Sequence, residues 1–258
     1  MARINHIFIF GILLYIASCG KNRTDEVKFS SGQIQYKYYY TNNQLDSVYE
    51  YWEGPHNIKR ITRILSDSTQ FITVFDKNGK KKSEGETLLK NGKYYENGWW
   101  KEYNEGKSSK IEYLIIGDSS LINQNINYLD NNDIDINNSL YYDINLSDTV
   151  IYNTDYQFDV RLISKIGEKD LFISKLKLSD NINSNFTNLK EAETNFNINE
   201  VKTNHWRVKH KFTKRGKNIL RGGIYVKLVW VEDINVDSIR FHEFEKILYI
   251  KRLIIVAR

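Results

Sequence analysis

Cysteine, proline and methionine are almost absent: each occurs once in 258 residues. A single Cys excludes an intramolecular disulfide framework and any metal site built from several thiolates. Alanine, the strongest helix former, is also scarce, which argues against long helices. The signatures of common chemistries are missing. There is no Cys-x-x-Cys, no His-Glu-x-x-His, no Gly-rich phosphate loop and no Gly-x-Ser-x-Gly elbow. Of five histidines, His6 lies in an apolar leader, and His56 and His242 are isolated. His205 and His210 are five apart, so a strand would point them to opposite faces. No cofactor and no metal is therefore expected. The longest apolar run, Ile7–Ala17, has eleven residues, short of the ~20 that span a bilayer.

What is present favours strands. The chain holds 32 Ile, 18 Tyr, 12 Phe and 5 Trp, and its 28 Asn supply turn residues. An all-β fold is expected. At the N-terminus, Arg3, the apolar run and the small residues after it describe a secretory signal. Ile16-Ala17-Ser18-Cys19 resembles the lipobox of bacterial lipoproteins. That resemblance implies a signal peptide over 1–18, cleavage before Cys19, and acylation of the Cys19 sulfur and of the new amine. Several acyl chains anchor stably where one does not. The expected location is the cell envelope, exported and held in a membrane, the outer rather than the inner. The polar stretch within 19–32 reads as a tether.

Four segments between 33 and 147 look alike. They are Tyr38–Leu45, Phe75–Glu86, Gly98–Lys107 and Tyr128–Asp133, each with an aromatic two or three positions before an Asn-Asn, Asn-Gly or Glu-Gly pair. Each reads as strand, tight turn, strand. Lys77-Asn78-Gly79-Lys80, Glu84-Gly85 and Gly98-Trp99-Trp100-Lys101-Glu102-Tyr103-Asn104-Glu105-Gly106-Lys107 resemble MORN-variant repeats, across roughly Gln33 to Tyr142. The resemblance implies β-hairpins stacked into an elongated sheet, in proteins often secreted or lipid-anchored in Bacteroidetes, some labelled antitoxin components. Glu105 replaces the usual Asn, and the spacing drifts. Tyr36, Tyr38 and Tyr40 share one strand face and form a candidate aromatic binding face. The segment Leu121–Ser147 is rich in Asn and Asp and reads as a boundary with one or two short strands. It lacks the Gly at the sixth and Glu at the twelfth position that an EF-hand needs, having Asp135 and Tyr141 there.

The remainder, 148–258, reads as a β-sandwich. Expected strands are Tyr156–Ile163, Leu171–Leu178, Trp206–Phe212, Ile219–Val231 and Lys246–Ile255, with Gly222-Gly223 marking a bulge or a close backbone approach. This half holds 20 Lys+Arg against 14 Asp+Glu. Much of the excess lies in His205–Arg221, which has no acid. Arg207, Lys209 and Lys211 share a strand face, and Lys214 and Arg215 follow, making a candidate strip for an anionic partner. Export makes nucleic acid an unsuitable partner; a protein or polysaccharide of the envelope suits better. The expectation is a lipid-anchored, non-enzymatic protein with a binding or scaffolding role. The alternatives are a carbohydrate-active enzyme, which needs only two placed carboxylates such as Glu84, Glu86 or Glu102, and an antitoxin-like or immunity partner implied by the repeat resemblance.

Overall fold

The computed structural model describes residues 22–54, 57–104, 106–165, 171–235 and 238–258. The leader and Cys19 lie outside the described residues, as does His56. The protein is all-β; among the described residues the helical content is one 3-10 turn, Ile136–Asn138.

Nine strands form one antiparallel sheet in chain order: β1 (Arg23–Lys28), β2 (Ile34–Thr41), β3 (Gln44–Tyr51), β4 (Ile58–Ile64), β5 (Thr69–Phe75), β6 (Lys81–Lys90), β7 (Lys93–Asn104), β8 (Lys107–Ile116) and β9 (Ser119–Asn127). The turns follow from residues that accept positive φ. Asn42 and Asn43 sit at φ 52° and 63° between β2 and β3, and Asn91-Gly92 at 52° and 76° between β6 and β7. Such pairs suit two-residue hairpins whose twist matches that of the strands. Between β5 and β6, Asp76 Oδ1 accepts from the N–H groups of Asn78 and Lys80, both at 2.9 Å, and fixes the turn. In β7, Trp100 is buried while its neighbour Trp99 is 44% exposed on the other face.

Eight further strands follow: β10 (Tyr141–Ile144), β11 (Thr149–Ile151), β12 (Asp155–Ile163), β13 (Leu171–Leu178), β14 (Asn197–Lys202), β15 (His205–Lys211), β16 (Gly216–Asn235) and β17 (Ser238–Ala257). They make two four-stranded sheets, β10-β12-β15-β14 and β11-β17-β16-β13. All their pairings are antiparallel except β11 with β17. Alternate residues face inward. Phe158, Val160 and Leu162 of β12 and Trp206 and Val208 of β15 meet Leu176, Leu178, Leu220, Ile224, Val226, Leu248, Ile250, Ile254 and Val256 in one core. Each fully buried aliphatic side chain contributes about 2 kcal/mol. The expected sandwich is therefore present, but β16 and β17 run 20 residues each, longer than the apolar pattern indicated. Polar positions toward the hairpin end hid that continuation.

The chain divides into two compact units, Met1–Tyr94 and Tyr95–Arg258. In the second, β8 and β9 are bound to the sandwich. Leu114 of β8 joins Ile182, Phe186, Leu189 and Ala192, a segment that packs over Tyr225, Ile247 and Tyr249. Asn amides hold this segment where no ladder does: Asn183 Oδ1 accepts from Thr187 N–H, and Asn188 Oδ1 from Asn183 N–H. The Asn-rich stretch 121–147 is likewise structural. Asn123 is 2% exposed and bonds β17 through both ends of its amide. Arg252 secures the connection from β10 to β11, donating to the carbonyls of Ile144 and Leu146 and to Asp148.

Candidate functional site

The β2 tyrosines form a packed stripe. The Tyr36 and Tyr38 ring centroids are 6.3 Å apart, and the Arg23 guanidinium sits 4.2 Å above the Tyr40 ring. All three tyrosines are half-buried. On the opposite face Tyr39 packs edge-on to Tyr49, with Lys37 above it. The rings thus contact neighbours on their own sheet. Glu84, on β6, pairs with Lys81 at 2.8 Å.

In β15, Trp206 and Val208 are buried inward, and Arg207, Lys209 and Lys211 lie on the outer face. The register sets acids opposite two of the three. Arg207 faces Asp159 of β12 and bonds its carboxylate through Nε at 3.1 Å; Lys211 faces Asp155 at 3.7 Å. Burial tends to raise the Asp159 carboxyl, but the bond from Arg207 and the nearby His205 imidazole outweigh it and hold its pKa below the ordinary value. Lys209 lies between Gln157 and Asn197 and has no acidic partner among the described residues. Arg215 is directed elsewhere: its guanidinium stacks 4.5 Å above Tyr152.

A cleft that the linear pattern did not reveal opens beside this strip. β13 pairs with β16 as far as Leu178 opposite Gly222. Ser179 N–H still reaches the Arg221 carbonyl, after which the chain leaves. Residues 216–220 of β16 then have β17 on one side and no strand on the other among the described residues. The gap, about 280 Å³, is lined by Asp180, His210, Thr213, Lys214, Lys217 and Arg221, over an apolar floor of Phe212, Ile219 and Leu220. Asn218 fixes the entering turn by donating to the carbonyls of Lys214 and Gly216. A second depression, about 460 Å³, shares Asp180, His210 and Thr213 and continues past Lys209 and Lys211.

His210 lines both depressions. Its ring stacks on Phe196 with centroids 3.7 Å apart and meets the edge of Phe212 at 4.7 Å. Its Nε2 is 3.6 Å from Asp180 Oδ2, which also accepts from Asn195 Nδ2 at 2.7 Å. Burial pulls the His210 pKa down, against the opposing pull of the Asp180 charge. The Arg221 Nε is buried and has no hydrogen-bond partner among the described residues. Unpaired buried donors are uncommon in folded chains.

The structure therefore joins Lys209, Lys211 and Lys214 in one tract with Lys217 and Arg221 of the same basic run, and adds Asp180, which no local pattern connected to them. It leaves Arg215 packed and places Tyr36, Tyr38 and Tyr40 on a different unit. No three His, Cys, Asp or Glu among the described residues come together as metal ligands, and no described helix is long and apolar enough to cross a membrane. Comparison with protein-family models, curated proteins and solved structures finds no match for the chain.

Proposed function

We propose that this chain is a lipid-anchored protein of the bacterial cell envelope that binds an anionic polymer without catalysing its conversion. The anchor rests on the Ile16-Ala17-Ser18-Cys19 sequence. The binding reading is carried by one observation: Lys209, Lys211, Lys214, Lys217 and Arg221 line two adjoining depressions with only Asp155 and Asp180 as acids. Such a surface attracts polyanions and does so less as salt rises. An acidic polysaccharide, extended and available at an envelope surface, suits two open depressions in series better than one deep pocket would.

The two parts are tested separately. Cys19→Ser should abolish incorporation of labelled fatty acid and move the protein from the membrane to the soluble envelope fraction. Retention of label and of membrane association would reject the anchor. For binding, the wild-type chain should be retained on immobilised polygalacturonate at low salt, released by about 0.5 M salt as the Debye length shortens, and not retained on dextran. Lys209→Glu combined with Lys211→Glu should remove the retention. Equal retention of this variant would show that the tract is only a solvated face.

A further inference from the structure

We propose that the cleft along the open edge of β16 is a subsite for one sugar residue that carries an anionic group, a carboxylate or a phosphate. This rests on the reading of the tract as a polyanion surface and adds what the recognised unit is.

Four features of the cleft agree. First, its cations are of the right kind and place. Arg221 lines the cleft; a guanidinium is a planar fork suited to carboxylate or phosphate oxygens, and the buried Arg221 Nε lacks a partner among the described residues. Lys214 and Lys217 also line the cleft and supply point charges. Second, acceptors are present as well. Asp180 is held by Asn195 from two sides, donating N–H to Asn195 Oδ1 and accepting from its Nδ2. A carboxylate fixed in a cationic cleft disfavours a bare dianion and accepts bonds from hydroxyls. The open backbone edge of β16 and the Thr213 hydroxyl add further donors and acceptors. Anion plus hydroxyls is the chemistry of an acidic sugar, not of an inorganic ion.

Third, the size is limiting. At about 280 Å³ the cleft falls just below the ~300–1,000 Å³ of pockets that enclose drug-sized ligands. It has room for one ring, not for an oligomer. Fourth, the neighbouring depression shares Asp180, His210 and Thr213 and carries Lys209 and Lys211, which gives the next residue of a polymer a place to lie.

The test is calorimetric titration of the full chain in detergent with four probes at one ionic strength: glucuronate, glucose 6-phosphate, glucose and inorganic phosphate. Glucuronate or glucose 6-phosphate should bind at least tenfold more tightly than glucose and than inorganic phosphate, and which of the two leads names the anionic group. Arg221→Gln and, separately, the surface change Lys217→Gln should each weaken that binding about tenfold, with Lys175→Gln as an indifferent control. Thermal melts identify any variant that fails to fold, and Lys217→Gln then carries the test. Equal binding of inorganic phosphate and the acidic sugars would overturn the proposal in favour of an unspecific cationic patch, as would indifference to Lys217→Gln. If polygalacturonate is retained through Lys209 and Lys211 but no acidic monosaccharide binds, this inference fails and the broader reading stands. If the monosaccharide binds but the polymer is not retained, the reverse holds.

Discussion

Gly222→Ala should destabilise the sandwich by about 3 kcal/mol, at the upper end of what overpacking a core costs. The pairing of Gly222 with Leu178 brings β13 unusually close to β16. A Cβ at this position would meet the Lys177 carbonyl oxygen at 2.3 Å and Leu178 Cδ2 at 2.5 Å. The first contact is with backbone, so no rotamer change relieves it. β13 would have to peel from β16 where Leu178 is fully buried, and the β16 edge that frames the cleft would move with it. The adjacent position is the control. A Cβ on Gly223 would meet Leu189 Cδ2 at 2.8 Å and Ile247 Cγ2 at 3.2 Å, both ends of side chains. Gly223→Ala should cost about 1 kcal/mol, as Leu189 shifts within the covering segment. Urea midpoints followed by tryptophan emission would compare the two. Equal losses would mean that the close approach of the strands is not what Gly222 provides.

Gly222 also shows how far the sequence could be read. A Gly pair in an apolar strand signals a bulge or a close approach; the unbroken register from Leu171 to Leu178 selects the approach. The strand character, the Asn42-Asn43 turn and the alternation of Trp206, Val208 and His210 with Arg207, Lys209 and Lys211 follow from local chemistry, and local chemistry is what a linear reading sees. The turn at Asn91-Gly92 departs from the pattern of the other units, because its aromatics, Tyr94 and Tyr95, follow the turn instead of preceding it. Pairing across strands was beyond reach. The basic run contains no acid, yet Asp159 neutralises Arg207 through a register 48 residues away in sequence. The cleft depends on where β13 ends and on Asp180, neither of which the run itself indicates. The Asn-rich stretch 121–147 reads as a boundary because a buried amide that replaces backbone pairing has the same composition as an exposed one that stabilises a loop.

Asn123 carries the clearest case of that replacement, and its loss should cost about 3 kcal/mol. Its Nδ2 donates to Glu112 Oε2 at 2.6 Å and to the Tyr249 carbonyl at 2.8 Å, while its Oδ1 accepts from Tyr249 N–H at 2.6 Å. Gln124 donates to the same Glu112 oxygen and accepts from Tyr142 N–H. The Tyr142 hydroxyl completes the set by donating to the Tyr249 carbonyl, and burial pushes its pKa far above the ordinary value. Asn123→Ala strands the Tyr249 N–H and takes a donor from Glu112, beside the buried Asn123 and Gln124 positions; each buried group left unpaired costs about 1–3 kcal/mol. Asn123→Asp is more informative. It sets a second carboxylate against Glu112, and like charges raise the pKa of such a pair. Raised carboxyl pKa values in the folded state mean stability that is present in acid and lost as pH rises through them. His210 has a lowered pKa when folded, so its contribution is present above its ordinary value of 6.5 and is lost as pH falls below it. The His210 contribution is common to both chains, so melting from pH 5 to 7.5 should show Asn123→Asp losing stability relative to the wild type as pH rises. Parallel slopes would mean that Glu112 and residue 123 do not share a buried site, and that the amide network does not hold β9 to β17.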